Sequence, residues 1–268
     1  KALTLLAPYF LWNLFYGLLA EVLHLAGFSI GEGLSLKTLF LDPFLSGHQF
    51  MYNFPAWFVP TLFLVEAVNV CMRKVLSLLK LDREWLIFGI CMVLGMLTVF
   101  LAIGGHVWGL YKFPGRILFM LPGFQMGRIY KEKLEVHDTM EDGPYFLIVM
   151  GLQILITIFC GGLAFSAVWV TSFSSGPLIP YITVMTGIAF WLRIARILSG
   201  IPYLSGKMVF IGRDTYAIMM HHIASFMLVK GFFYLLSLYT PFCGEFDREM
   251  FFSEVSFVYL AGGSEASQ

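Results

Sequence analysis

Apolar runs long enough to cross a lipid bilayer recur along the whole of this 268-residue chain. A hydrocarbon core of about 30 Å needs about 20 residues of helix. Seven segments reach or approach that length: residues 2–28, 54–79, 86–102, 116–130, 145–169, 178–198 and 215–239. Only 13% of the residues are charged, against roughly a quarter in a soluble domain. The sequence therefore predicts an all-α, polytopic transmembrane helical bundle.

Basic residues are divided unequally between the two sides of such a bundle. If the chain changes sides at each segment, twelve Lys and Arg residues share the side of Lys1 and four lie opposite. Because Lys and Arg concentrate in cytoplasmic connections, the side of Lys1 is predicted to be cytoplasmic. Seven segments then leave the N-terminus inside and the C-terminus outside. We expect a multi-pass protein of the cell membrane, in the sense of a cytoplasmic or inner membrane.

The chain divides into a membrane domain and a tail. Residues 1–239 contain all seven apolar segments, whereas residues 240–268 are predicted to form an extracytoplasmic tail with a flexible Gly- and Ser-containing end. The four cysteines show no CxxC spacing, so we predict free thiols and no metal site. A net charge of zero gives no basis for nucleic-acid binding. The lipid bilayer is the partner that composition predicts.

Ionisable side chains inside apolar segments are the best pointers to a site, because in lipid each costs free energy unless it faces protein or water. His222 lies eight residues after Asp214, about 12 Å along the helix and near the bilayer centre. Its imidazole can accept a proton near neutral pH, as a general base must. Glu66 lies midway along the second segment and could be its partner. Either residue could instead only hydrogen-bond a neighbouring helix.

A second histidine and four arginines complete the candidates from charge and position. His221 points about 100° away from His222 around the helix, so the two cannot line one narrow cavity equally. The cytoplasmic-side arginines could bind the phosphates of a soluble donor, or could serve only to set the topology. These arginines are Arg128, Arg193, Arg196 and Arg213.

Three stretches resemble motifs of one membrane-enzyme family. Residues 53–63 read NFPAWFVPTLF, similar to an Asn-x-x-x-Trp-Phe-Leu helix start. Residues 114–127 read PGRILFMLPGFQMG, similar to an Arg-x-x-x-Phe-x-Pro-Phe-Phe-x-x-Gly run. Residues 211–222 read IGRDTYAIMMHH, similar to an Ile-Gly-x-x-Ser/Thr-x-x-Ile-x-x-x-His ending. In this order and spacing they resemble the acyltransferase-3 family, in its fucose 4-O-acetylase-like and polysaccharide O-acetyltransferase branch.

The resemblance implies a reaction and a topology. Members of that family have about ten helices and move an acyl group, usually acetyl from acetyl-CoA, onto a glycan hydroxyl at the membrane. The donor is a substrate, and no cofactor is held permanently. This chain would match helices three to nine. The family's hallmark Arg and catalytic His lie on its first helix, and no residue here corresponds to them.

The resemblance implies roles for Asn53, Trp57, Arg116 and His222, and the charge and position of the other candidates suggest theirs. His222 would be catalytic or would support the base, with Glu66 beside it. The acceptor would be bound from outside by Asn53, Trp57, Arg116 and His221, and acyl-CoA would be bound from the cytoplasm by Arg128, Arg193, Arg196 and Arg213. The alternative is a catalytically inactive component for glycan export, with a transport or scaffold role and no CoA binding.

Overall fold

The described part of the chain, residues 2–25, 32–47, 49–160, 165–167 and 170–239 of a computed structural model, is almost entirely helical. Its α-helices in chain order are α1 (Ala2–Leu25), α2 (Asp42–Leu45), α3 (Phe58–Leu78), α4 (Glu84–Ile103), α5 (Lys112–Ile129), α6 (Asp142–Cys160), α7 (Ile179–Ser199) and α8 (Pro202–Tyr239). Within these residues no β-strand forms, and one isolated bridge joins Ser166 to Thr171. The predicted tail, residues 240–268, lies outside the described residues.

Five helical stretches of the described chain are long and apolar enough to cross a membrane: Thr4–Leu25, Met51–Leu78, Glu84–Ile103, Asp142–Cys160 and Ile179–Ser199. They confirm an all-helical protein of membrane type. The fourth and seventh predicted segments do form helices, α5 and α8, but neither is among the five. Helix α5 carries Arg116, Gln125 and Arg128 within 18 residues, which lowers its hydropathy.

Two predicted segment ends were wrong. The fifth segment was predicted to reach residue 169, but α6 ends at Cys160. Beyond it Ser166 and Thr171 exchange backbone hydrogen bonds of 2.9 and 3.2 Å around a turn, which a continuing helix could not do. The seventh segment was predicted to begin at residue 215, but its helix begins earlier. Helix α7 ends at Ser199 and α8 begins at Pro202, a residue favoured at the first helical position.

Neighbouring long helices run in alternating directions. Arg73, near the end of α3, pairs with Glu84 at the start of α4, and the end of α4 leads into α5. Helices α6 and α7 are likewise antiparallel, because Tyr145 Oη donates to Ala189 O (3.1 Å) while Gln153 Nε2 donates to Thr183 O (3.0 Å). Helices α1 and α8 run parallel and pack through the buried Tyr9 and Met220.

The connection between α1 and α3 folds back into the bundle. Its described residues, 32–47 and 49–57, include a π-helical turn (Lys37–Leu41), α2 and a 3-10 helix (Met51–Trp57). Polar side chains of this segment are buried: Thr38, Asp42, Gln49 and Asn53. Asn13 of α1 donates to Leu39 O at 3.2 Å, which ties the segment to the first helix. A surface loop would leave such groups in water, so this segment brings polarity into an otherwise apolar bundle.

Candidate functional site

Arg116 and Trp57 meet where the folded-back segment joins α3. Arg116 lies one turn into α5 and is 1% exposed, with its guanidinium carbon 5.0 Å from the centroid of the Trp57 ring. Gly47 lies against the other side, since a Cβ at that position would overlap the guanidinium. Its φ of +68° is a conformation that favours glycine. The structure thus brings together two of the predicted acceptor-binding residues, which are far apart in sequence.

Asn53 lies in the same 3-10 helix as Trp57 and is completely buried. Among the described residues, neither its Oδ1 nor its Nδ2 has a hydrogen-bond partner. A buried amide without a partner costs about 1–3 kcal/mol. The hydroxyl of the neighbouring Tyr52 also has no hydrogen-bond partner among the described residues. A side chain retained at this cost is suited to binding a polar ligand, which would supply the missing hydrogen bonds.

A buried tyrosine–glutamine pair adjoins these residues along the chain and was missed from the sequence. Gln49 Nε2 donates to Tyr9 Oη at 2.7 Å, and both residues are buried. We call Tyr9, Gln49, Asn53, Trp57 and Arg116 the polar site. Polar residues inside apolar runs can be recognised in the sequence. Their pairing cannot, because it joins Tyr9 of α1 to Gln49, forty positions away in the connecting segment. Amide and guanidinium groups suit the site to hydroxyl or anionic oxygens.

The two adjacent histidines have different surroundings. His221 Nδ1 lies 2.7 Å from Tyr16 Oη, and its ring centroid is 4.1 Å from that of Trp12, so it joins α8 to α1. His222 Nδ1 is instead 2.9 Å from Met219 O of its own helix, and its ring lies near Phe226. The interhelical contact expected of His222 therefore belongs to His221.

The predicted pairing of His222 with Glu66 is not among the contacts of His222, which lie within α8. The helix face of Glu66 nevertheless carries a polar network. One turn further on, the buried Asn69 donates to Gln125 Oε1 at 3.1 Å, and Gln125 Nε2 donates to Glu84 Oε2 at 2.8 Å. Arg73 completes the chain with a two-pronged contact to Glu84. We call Asn69, Arg73, Glu84 and Gln125 the paired network.

The four arginines predicted to bind a donor do not form one cluster. Arg193 and Arg196 share Asp138, at 3.4 and 3.2 Å. Arg193 also pairs with Asp142 at 3.3 Å and lies 4.2 Å from the centroid of the Tyr145 ring.

The other two arginines differ from that pair in their contacts. Arg128 pairs with Glu132 one turn along at 2.9 Å, and Arg213 is exposed on α8. Three of the four arginines predicted to bind the acyl donor thus already pair with carboxylates of this chain.

No metal site was predicted, and within the described residues no group of three or more His, Cys, Asp or Glu side chains could hold a metal ion. The cysteines Cys71, Cys91 and Cys160 are free thiols, while Cys243 lies outside the described residues. Comparison with known proteins gave no match to a family, to a curated protein or to a solved structure.

Proposed function

We propose that this chain supports O-acyl transfer, moving an acyl group, most simply acetyl, from acyl-CoA to a hydroxyl of a cell-surface glycan. The observation that supports it best is Asn53, a fully buried amide with neither polar atom partnered among the described residues. It lies in one short helix with Trp57, which holds Arg116. A glycan hydroxyl can both donate to Asn53 Oδ1 and accept from Nδ2, so it matches the unmet bonds of the amide.

The proposal includes seven crossings, with the N-terminus cytoplasmic and the C-terminus outside. The 18 residues of α5 span about 27 Å, close to the thickness of the hydrocarbon core. Its polar Arg116 and Gln125 are buried in protein, so its low hydropathy does not expose charge to lipid. The alternating helix directions also agree with this topology. The polar site then lies toward the outside, and Arg128, Arg193 and Arg196 lie toward the cytoplasm.

In the proposed reaction, the acceptor hydroxyl oxygen attacks the thioester carbonyl carbon and the carbon–sulfur bond breaks. The hydroxyl proton passes to a base, and the CoA sulfur leaves as a thiolate that takes up a proton. Asn53 and Arg116 would hold the acceptor, with Trp57 as the ring on which a sugar lies. The base itself is not assigned by contacts, and the catalytic roles of His222 and Glu66 stay predictions.

A second candidate is a transport or scaffold component without chemistry. The arginine contacts favour it, because a CoA phosphate would have to displace Asp138 or Glu132 from Arg193, Arg196 or Arg128. In this alternative the polar site would line a glycan path and the arginines would only hold the cytoplasmic ends of the helices together.

The two candidates are separated by CoA release from proteoliposomes. The chain is reconstituted with cell-envelope polysaccharide as acceptor and labelled acetyl-CoA as donor, and free thiol and labelled glycan are both measured. We expect both to form, and we expect Asn53→Leu and Arg116→Met to lower the rate by about a hundredfold. Asn69→Leu is the matched control, because it removes an equally buried amide outside the polar site.

One result would contradict acyl transfer itself, and two others would contradict the residue roles proposed for it. Thiol release no higher than in empty liposomes favours the transport or scaffold candidate. Full activity in Asn53→Leu removes the polar site from the reaction even if CoA is released. Full activity in His222→Ala removes the catalytic role predicted for that histidine.

A further inference from the structure

An open cavity of about 100 Å³ lies between the end of α4 and the start of α5. Apolar side chains form most of its wall, and its polar or charged groups lie close to the α4–α5 connection. Six of the lining residues define it for the argument below: Thr98, Ala102, His106, Tyr111, Lys112 and Leu118. An apolar chamber with a basic rim has the amphiphilic pattern of a lipid.

The charge of this region has one sign over a long stretch of sequence. From residue 85 to residue 131 the chain contains no Asp or Glu, and residues 161–178 carry no charge. Lys112 lies on the cavity wall, with Nζ 5.7 Å from the centroid of the Trp108 ring. Positive charge at the edge of an apolar chamber between membrane helices is complementary to a lipid phosphate.

Aromatic and aliphatic anchors place the cavity mouth at a membrane surface. Trp108 is 60% exposed and Leu110 92% exposed in the short connection that leads into α5. Tryptophan at such a position is typical of the boundary between hydrocarbon and headgroups. The chamber behind it is therefore at the depth where the acyl chains of a lipid begin.

We propose that this cavity, the lipid cavity, seats an anionic phospholipid, with its acyl chain against Ala102 and Leu118 and its phosphate at Lys112. The inference goes beyond the proposed function and does not depend on acyl transfer. It also differs from general lipid contact, because an ordinary lipid-facing surface would not discriminate between headgroups.

The test measures which lipids the intact chain retains. The protein is purified into mixed micelles that contain equal amounts of phosphatidylglycerol and phosphatidylcholine with identical acyl chains, and the bound lipids are counted by native mass spectrometry. We expect about fivefold preference for phosphatidylglycerol, the effect of one basic residue near a headgroup. Lys112→Gln should reduce the preference to near parity, whereas Lys131→Gln, beyond the other end of α5, should leave it unchanged.

A second variant tests the chamber without changing charge. A Cβ at Gly115 would meet only Thr98 Cγ2, at 3.5 Å, so Gly115→Leu fills the cavity without a backbone clash. It should lower retention of both lipids, and Gly89→Leu, on an open face of α4, should not.

Equal retention of the two lipids overturns the inference. So does a preference that survives Lys112→Gln or is lost equally in Lys131→Gln, and so does full retention in Gly115→Leu. Because no acyl donor is present, a failure of CoA release leaves this result unaffected.

Discussion

The polar site and the paired network are both buried in the bundle, but they differ in whether their polar groups have hydrogen-bond partners. In the paired network each polar side chain is matched: Asn69 to Gln125, Gln125 to Glu84, and Glu84 to Arg73. In the polar site Asn53 has no partner among the described residues, and Arg116 lies on an aromatic ring. Polar groups that are all hydrogen-bonded to one another hold helices in register. Polar atoms without a partner can instead hydrogen-bond a ligand. The comparison separates structural polarity from polarity available for binding.

The largest expected effect lies in the paired network. Glu84→Gln removes the only carboxylate of that network and leaves Arg73 charged and about four-fifths buried. Removing one partner of a buried ion pair is strongly destabilising, and we expect a loss of about 3 kcal/mol in the free energy of unfolding. The measurement is unfolding by SDS in mixed micelles. Glu132→Gln, which removes an exposed pair with Arg128, should cost under about 0.5 kcal/mol. Equal losses would mean that the network is not structural.

Arg193 and Arg196 of α7 test the same idea with a second set of ion pairs. Arg193 has a side chain only 5% exposed, on two carboxylates and the Tyr145 ring, whereas Arg196 is 53% exposed. Arg193→Gln should cost about 2 kcal/mol of unfolding free energy, and Arg196→Gln at most about 1 kcal/mol. If both variants keep their stability but lose acetyl-CoA binding in calorimetry, these arginines bind the donor and the structural interpretation is wrong.

Two buried asparagines sharpen the comparison directly. Asn69→Leu deprives Gln125 Oε1 of its donor and should cost about 1–2 kcal/mol. Asn53→Leu removes an amide that has no partner, so the unfolding free energy should stay the same or rise by up to about 1 kcal/mol. Thermal unfolding of the two variants in one detergent measures the difference. A loss in Asn53→Leu as large as in Asn69→Leu would show that Asn53 is a structural residue.

The smallest effect distinguishes the adjacent histidines. His221→Phe removes the hydrogen bond to Tyr16 and should cost about 1 kcal/mol. His222→Phe removes only a bond within its own helix, and we expect a change below about 0.5 kcal/mol. The reverse order of unfolding midpoints would mean that His222 makes the interhelical contact.

Several features were predictable from residues in isolation. The helix of the third apolar segment was predicted at 86–102 and is found at Glu84–Ile103, because an uninterrupted apolar run leaves the backbone no alternative to internal hydrogen bonds. Trp57 and Arg116, both selected from the sequence as acceptor-binding residues, are in contact in the structure, and their role stays a prediction. The end of α6 was missed because hydropathy continues past Cys160, whereas Ser166 and Thr171 pair through their backbones.

Partners across helices were not predictable. The sequence suggested Glu66 as a partner of His222, whereas the contacts of His222 in the structure lie within α8. The suggestion rested only on position along a helix and on membrane side. A helix can rotate about its axis without changing either quantity. The rotation of α8 directs His221 rather than His222 toward α1, and it is set by the packing of Met220 against Tyr9, Ala56 and Val59.

The sequence by itself determined that this protein contains helices long and apolar enough to cross a membrane, because the length and composition of an apolar segment do not depend on its neighbours. It also determined which polar residues are costly to place there. Only the tertiary structure decided which of those residues meet, as Tyr9 with Gln49 and Trp57 with Arg116. Such contacts depend on side-chain packing between helices, where a single turn of a helix selects a different partner.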